Sequence, residues 1–323
     1  MQRSEVYDAR TEARERFKTV PELSALPAGA ISMGVGLTRE PGDYIVAVRI
    51  REKSNVSRIE SLLRETFSSM RESKRDLIFD IRYTGPAFAL QPKPAGPTPP
   101  LERPLSIGDS ISHAKAFGGT LGFFAKDKSG NPGIVSANHV IAEADEARVG
   151  DSIVSPEYGT TGSREVAELV SSVSLHGGGL KLVDAAFARL LPKIDYDVST
   201  LPNGTLQHDI ASVQVSTNVQ KVGQSSHLTV GTVTSFDYDT LGVLGYSASL
   251  PEVDFENQIE IESTNAYDFA LDGDSGSLVT TDRFHAVGLL FSRCVAGGTL
   301  GNGLAYASPI ASVLGLLGVE LLP

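Results

Sequence analysis

The spacing of hydrophobic positions changes along the chain and predicts two kinds of structure. Before residue 91, one set of apolar side chains recurs every three or four positions, as on one face of a helix, and strand-like runs (ISMGVGL, YIVAVRI and DLIFDIRY) flank it. The helical set consists of Val56, Ile59, Leu62, Leu63, Phe67 and Met70. After residue 104, short apolar runs such as GTLGFF, GIVSANHVI and HAVGLLFS alternate with clusters of Gly, Asn, Asp and Pro. That second pattern favours a mainly β region.

These patterns predict four parts. Residues 1–30 form a charged N-terminal arm, either a solvated helix or a frayed tail, and residues 31–90 form a small α+β domain in which one helix covers a short sheet. Residues 91–104 hold six prolines in fourteen positions and are interpreted as an extended linker. Residues 105–323 form the large β domain, which closes with a short apolar helix near Ile310.

Composition and charge narrow the classes of function. Apolar residues make up 41% and charged residues 21% of the 323 positions, as in an ordinary soluble protein. The formal charge of −11 disfavours nucleic acid and anionic membrane surfaces as partners. One cysteine, Cys294, and a charged N-terminus without an apolar leader predict a reducing, cytoplasmic setting. No nucleotide-binding loop is found, and neither a cofactor nor a metal is expected.

The segment with the clearest chemistry is Gly273-Asp274-Ser275-Gly276. Glycines let the backbone turn tightly, so the amides of Gly273 and Ser275 could both point at one developing oxyanion. A serine hydroxyl is a weak nucleophile near pH 7 and needs a base, which in turn needs an orienting carboxylate. His139 ends an apolar strand-like run, and Asp184 is a single carboxylate within the apolar run LVDAAFA. We therefore expect these three residues to meet.

Two rival interpretations of this segment are weaker. Acids at alternate positions from Leu271 resemble a calcium loop, but the fifth-position acid and the twelfth-position glutamate are missing. An α/β-hydrolase would have glycine where Ser277 stands, and its Asp would lie between Ser and His in the chain.

The order His, Asp, Ser in SANHV, VDAAF and GDSGSL, followed by VGLLFS, resembles the chymotrypsin-fold serine peptidases. More closely, residues 103–323 resemble bacterial trypsin-like peptidases related to the plant Narrow-leaf protease, with ERPLSIGDSISHAKAFGGTLGFF and KVGQSSHLTVGTV as further matching segments. The resemblance implies a mainly β, chymotrypsin-like double β-barrel preceded by the small α+β domain. It also implies a serine endopeptidase, with protein or peptide substrates and possible homo-oligomers.

By this resemblance Ser275 would attack a peptide carbonyl, His139 would act as base and then acid, and Asp184 would hold the imidazole. The amides of Gly273 and Ser275 would form the oxyanion hole. The strand 288–293 would pair with the substrate backbone, and the substrate-binding residues would be Phe269, Phe291, Ser292 and Arg293. Because no acid stands at Phe269, the pocket floor, we expect an apolar rather than basic side chain before the cleaved bond.

Two departures from the family pattern are present, and the second affects regulation. His227 stands where the family has glycine, and no basic cleavage site precedes Gly119, so Asp274 gains no newly formed terminal amine as partner. Control would then involve the N-terminal domain, oligomerisation or a partner. His227, His113, His176, His208 and His285 are interpreted as ordinary loop or surface histidines. The alternative function is a catalytically latent binding or scaffold protein on the same fold that is activated by, or acts through, a partner.

Overall fold

The computed structural model describes residues 2–37, 42–66, 79–91, 103–116, 118–212 and 217–322. The predicted linker lies outside these residues except at Gln91, Arg103 and Pro104, and Phe67 and Met70 of the predicted helical face also lie outside them. Five α-helices are described, together with 3-10 turns at Lys53–Asn55 and Glu143–Asp145. The helices are α1 (Arg3–Lys18), α2 (Pro21–Ser24), α3 (Val56–Thr66), α4 (Asn138–Ile141) and α5 (Ile310–Leu317). None of these helices combines the length and the apolar character that a membrane span requires.

Strands dominate the remaining described residues, so the protein is mainly β. In chain order they are β1 (Ile31–Leu37), β2 (Tyr44–Ile50), β3 (Phe79–Tyr83), β4 (Ala87–Ala89), β5 (Leu105–Ser106), β6 (Ser110–His113), β7 (Gly119–Thr120), β8 (Phe123–Lys126), β9 (Pro132–Ser136), β10 (Ser152–Ser155), β11 (Arg164–Ser172), β12 (Ala186–Leu190), β13 (Tyr196–Asp197), β14 (Thr200–Leu201), β15 (Gly204–Thr205), β16 (Asn218–Gly223), β17 (His227–Phe236), β18 (Leu241–Leu244), β19 (Glu252–Phe255), β20 (Ile259–Ser263), β21 (Leu278–Thr281), β22 (Ala286–Gly297), β23 (Gly303–Pro309) and β24 (Glu320–Leu321).

Two large sheets carry most of these strands. The first has eight strands in the order β24-β8-β9-β12-β11-β10-β6-β7. In the second, which has twelve strands, β16, β17, β20, β23, β22 and β21 pair antiparallel in a closed ring. An apolar cluster that includes Val219, Ile261 and Leu290 is contributed largely by the strands of this ring. Alternate residues of a strand face opposite sides, so a ring of strands can bury one face of each.

Strands near the N-terminus join the second sheet. The N-terminal segment, for which the sequence left a helix or a tail open, forms α1 and buries Val6, Ala9, Ala13 and Phe17 at spacings of three and four. Strands β1, β2 and β3 form a three-stranded unit, and β1 pairs with β17. The structure thus places the strands of residues 31–90 in one sheet with strands of the large β region, and α3 packs on them, while the proposed domain boundaries remain predictions.

A buried ion pair links β2 to the strand ring. Arg49 Nη2 lies 2.7 Å from Glu260 Oε1, and the side chains are 2% and 0% exposed. Burial alone would raise the pKa of Glu260, but the Arg49 charge outweighs it and holds that pKa below its usual value. Each buried charge is therefore neutralised by a residue from the other part of the chain.

Candidate active site

His139 lies at the junction between β9 and α4. Ala137, with φ −64° and ψ 146°, is the extended N-cap of α4, so the chain leaves the sheet one residue before the helix starts. The neighbouring Asn138 side chain fixes this turn by donating to Asp145 Oδ1 at 2.6 Å and to the Val173 carbonyl at 2.9 Å. His139, the second residue of α4, is thereby held next to β9 with its side chain 3% exposed.

Asp184 lies just before β12, which pairs with β9, and it is fully buried. Its Oδ2 atom is 2.6 Å from His139 Nδ1, and its Oδ1 atom accepts a hydrogen bond from the His139 amide at 3.3 Å. A buried carboxylate is costly unless it is hydrogen-bonded or paired. Here both oxygens meet hydrogen-bond donors of His139, as the sequence predicts for Asp184.

Ser275 lies in the turn before β21, between Gly273 with φ 93° and Gly276 with φ 88°. Both values are in the region that favours glycine. A Cβ atom added to Gly276 would lie 2.1 Å from Ser136 Oγ, so the turn packs directly against the end of β9. Ser275 is fully buried, and its Oγ atom is 2.6 Å from His139 Nε2.

The three side chains therefore form one hydrogen-bonded line from the Ser275 hydroxyl through the imidazole to the carboxylate. A carboxylate at His139 Nδ1 favours the tautomer with the proton on that nitrogen, which leaves Nε2 free to accept the Ser275 proton. Such a line can remove a proton from the hydroxyl as the oxygen attacks an electrophile, and return it to a leaving group.

Asp274 is held by a partner that the sequence did not reveal. Lys221 Nζ from β16 lies 2.8 Å from Asp274 Oδ2, and both side chains are fully buried. The carboxylate also accepts hydrogen bonds from the amides of Ser225, Ser226 and Leu271 at 2.9–3.0 Å. Burial alone would raise the pKa of Asp274, but the Lys221 charge and these hydrogen bonds lower it below its usual value. An internal lysine therefore anchors the residue next to Ser275.

Tyr246 is a second residue that the sequence did not single out. Its ring meets the His139 ring edge-on, with centroids 5.5 Å apart and planes at 80°. Burial raises the pKa of Tyr246 well above its usual value, and the negative charge of Asp184 raises it further. Tyr246 thus covers one side of the imidazole as a neutral phenol. Tyr246 lies outside the segments on which the resemblance rests, and Lys221 opens the matching segment KVGQSSHLTVGTV without any signal there that it pairs with Asp274.

The predicted substrate-binding residues lie around β22. Phe291 and Ser292 are fully buried in that strand, and Phe269 is 2% exposed. Arg293 Nη1 donates to Asp268 Oδ2 at 3.1 Å and to the Ala270 carbonyl at 3.3 Å. Arg293 thus joins β22 to the segment that contains Phe269, whereas the side chains of Phe269 and Phe291 belong to different apolar clusters.

Residues 87–91 of the chain itself lie at this site. β4 pairs antiparallel with β22, and the Leu90 amide donates to the Phe291 carbonyl at 3.0 Å. The Leu90 carbonyl oxygen is 3.2 Å from His139 Nε2, and the Gly273 amide donates to the Gln91 carbonyl at 3.0 Å. One amide of the predicted oxyanion hole is therefore engaged by Gln91.

The prediction for His113 is wrong. Instead of a loop or surface residue, it is the last residue of β6 and is 3% exposed. Its Nδ1 atom contacts Glu143, and its Nε2 atom is 3.3 Å from Asp151 Oδ2. Two acids from other segments lie against its ring, and the residues next to His113 in the sequence carry no signal for such partners. Within the described ranges, no cluster of three or more His, Cys, Asp or Glu side chains could hold a metal ion.

Comparison with known proteins shows that the fold of this chain is similar to solved protease structures. Thermobifida fusca Protease A is 16% identical and Cellulomonas bogoriensis chymotrypsin is 15% identical, each with a TM-score of 0.47 over 68% of this chain and 99% of that chain. A glutamic acid-specific serine protease with a histidine triad in substrate binding is 19% identical, with a TM-score of 0.49 over 68% of this chain and all of that chain. No family model and no curated protein matches the chain. At these values, the likeness alone assigns no activity.

Proposed function

We propose that this protein is a serine endopeptidase with a chymotrypsin-like double β-barrel. The observation that carries the proposal is the buried line of two 2.6 Å contacts from Ser275 Oγ through His139 to Asp184. The antiparallel ring of six strands, which includes β21 just after Ser275, supports a second barrel, and the eight-stranded sheet whose strands β9 and β12 adjoin His139 and Asp184 would form the first. The nucleophile would then come from one barrel, and the base with its carboxylate from the other.

The reaction would proceed in two halves. Ser275 Oγ attacks the carbonyl carbon of a peptide bond while its proton moves to His139 Nε2, and the oxyanion is stabilised by the amides of Gly273 and Ser275. The tetrahedral intermediate then expels the amine, which takes the proton from His139 and leaves an ester on Ser275. A water molecule then attacks the ester while giving a proton to His139, and His139 returns that proton to Ser275 Oγ as the acid product leaves. Asp184 orients the imidazole and stabilises its charged form throughout.

Substrate backbone would add to β22 as an extended strand, a mode in which main-chain hydrogen bonds give affinity and pockets give selectivity. Phe269 would form the apolar floor of the pocket for the side chain before the cleaved bond. Phe291, Ser292 and Arg293 would contribute the strand itself. An acidic side chain facing such a floor would lose hydration without an opposing charge at Phe269.

The proposal is tested by prolonged incubation with a fluorophosphonate probe, followed by mapping of the modified residue, and by hydrolysis of denatured casein. We expect modification at Ser275, and we expect Ser275→Ala and His139→Ala to lose the label and to reduce hydrolysis by at least about a thousandfold. Ser129→Ala and His176→Ala replace exposed residues of the same types and are expected to behave as the unchanged protein. Casein hydrolysis that survives Ser275→Ala would contradict the proposal.

A further inference from the structure

The substrate strand of the proposed peptidase is already occupied. β4 lies between β18, with which it runs parallel, and β22, with which it runs antiparallel. Its register on β22 matches Ala89 with Ser292 and Phe88 with Arg293. Because β22 is the strand predicted to bind peptides, residues 87–91 use the backbone positions that a substrate would need.

The contacts at the end of this segment resemble those of a bound peptide. After Ala89 the chain no longer pairs as a strand, but the Leu90 amide still donates to the Phe291 carbonyl at 3.0 Å. Leu90 is fully buried in the same apolar cluster as Phe269 and Ala270. The Leu90 side chain is therefore in the apolar surroundings predicted to receive the residue before the cleaved bond.

The carbonyl groups, in contrast, are not arranged for cleavage. The Leu90 carbonyl oxygen is directed at His139 Nε2 at 3.2 Å, whereas the Gly273 amide is bound by the next carbonyl, that of Gln91. For attack at Leu90, its own carbonyl oxygen would have to accept from that amide. The segment thus lies in the substrate position, but the carbonyl that occupies the predicted oxyanion hole is that of Gln91, one residue after Leu90.

Two side chains hold this arrangement from outside the cluster. Gln91 Nε2 donates to the Ala89 carbonyl at 3.0 Å and to the Gly245 carbonyl at 2.7 Å, and the Gln91 amide donates to Asp272 Oδ1 at 3.3 Å. Ser275 itself is fully buried. A peptide can therefore reach Ser275 only after this segment leaves the strand.

We infer that residues 87–91 are an internal, uncleaved competitor of substrate, and that the cleft they fill selects extended peptides with a leucine-like aliphatic residue before the cleaved bond. This inference rests on the proposed function, because it concerns the same site. Substrate and segment exclude each other, since both need β22, the Leu90 position and the Gly273 amide.

The first test measures the rate of fluorophosphonate modification at Ser275. Leu90→Ala removes the side chain that fills the apolar position and is expected to raise the rate at least tenfold. Gln91→Ala removes only an exposed side chain with two hydrogen bonds, creates no cavity, and is expected to raise the rate at least about threefold. Leu63→Ala is the matched control, because Leu63 is a leucine with only 2% exposure in the separate cluster under α3. It is expected to label at the rate of the unchanged protein.

The second test compares substrates on the Leu90→Ala and Gln91→Ala proteins, using Ala-Phe-Ala-X coumarin amides that reproduce residues 87–89. Leucine at X is expected to exceed arginine and aspartate at least tenfold in kcat/KM. A preference for arginine or aspartate at X would overturn the proposed selectivity. Equal labelling rates for the unchanged protein and the three variants would overturn the proposal that residues 87–91 compete with substrate, but would leave the proposed peptidase activity standing. If the proteins fold, as judged by circular dichroism, and none is labelled, the proposed function itself fails.

Discussion

The Lys221–Asp274 pair offers the sharpest test of how the site is held together. Lys221→Met keeps an unbranched apolar side chain of nearly the same length but removes the charge opposite Asp274. At 2.8 Å and an effective dielectric constant of about 20, the direct attraction is about 6 kcal/mol before the cost of burying both charges is subtracted. Removing one member of a buried pair costs about 3–5 kcal/mol, because the remaining charge has lost its partner.

The remaining contacts of Asp274 set where in this range the value falls. Its carboxylate keeps the hydrogen bonds from Ser226 Oγ at 2.5 Å and from three backbone amides. These bonds continue to stabilise the charged form, so we expect a loss of about 3 kcal/mol in the free energy of unfolding. The measurement is urea unfolding at pH 7.5 with an unchanged m-value.

The pH dependence follows from the lowered pKa of Asp274. The stabilisation is present above the ordinary carboxyl pKa and is lost as the pH falls through the lower folded value. In Lys221→Met, burial is no longer opposed by the lysine charge, so Asp274 takes up a proton more easily. The difference from the unchanged protein should therefore shrink as the pH is lowered from 7.5 towards 5.

Two further variants make this result interpretable. Lys126→Met removes a lysine from an exposed pair with Glu320 at 3.3 Å and should change stability by less than about 1 kcal/mol. Adding Asp274→Asn to Lys221→Met removes the unpaired charge and should recover part of the loss. Surface substitutions usually change the free energy of unfolding by no more than about 0.5 kcal/mol. If Lys221→Met alone changes it by no more than that, the role assigned to the pair is refuted.

Two other predictions concern buried groups away from the proposed triad. Arg49→Met leaves Glu260 buried without its cation and should lower the free energy of unfolding, measured in urea, by about 3–5 kcal/mol. Arg58→Met, at an exposed helix position, should lower it by less than about 1 kcal/mol. Equal effects of the two substitutions would contradict the role assigned to the Arg49–Glu260 pair. Burial raises the pKa of Cys294 to about 11, so at pH 8 only about one thiol in a thousand is ionised. Reaction with Ellman's reagent should therefore detect no thiol in the folded protein and one after unfolding, and rapid reaction of the folded protein would be inconsistent with this burial.

Some parts of the site can be predicted from the sequence much better than others. Each of the three proposed catalytic residues lies in a short segment with a recognisable local pattern. Ser275 is flanked by glycines that allow a tight turn, and His139 and Asp184 are polar residues in apolar runs. The structure brings these three side chains into contact. The mainly β character from residue 105 onward and the helix beginning at Val56 are also local patterns, and both are present.

What the sequence did not reveal depends on contacts between distant segments. Lys221 meets Asp274 because β16 and β21 are neighbours, and no spacing rule connects a lysine to an acid 53 positions later. Leu90 and Gln91 fall at the predicted boundary between domain and linker. The pairing of β4 and of the Leu90 amide with β22, some 200 positions away, depends on the topology of the sheet and not on composition. Such contacts are set by how strands are ordered in the sheet.

The lysine and the internal segment together indicate how the site would be controlled. A terminal amine formed by chain cleavage could pair with Asp274 and order the turn around Ser275, but only once and irreversibly. Here the positive charge that pairs with Asp274 comes from Lys221, within the uncut chain. The turn can therefore be in place at all times, and control passes to whether the cleft is occupied. Residues 87–91 are held at the site by non-covalent contacts, among them the hydrogen bond from the Gly273 amide to the Gln91 carbonyl, so their release breaks no covalent bond. A partner that binds residues 87–91 in preference to β22 would switch the proposed peptidase on, and its removal would switch it off again.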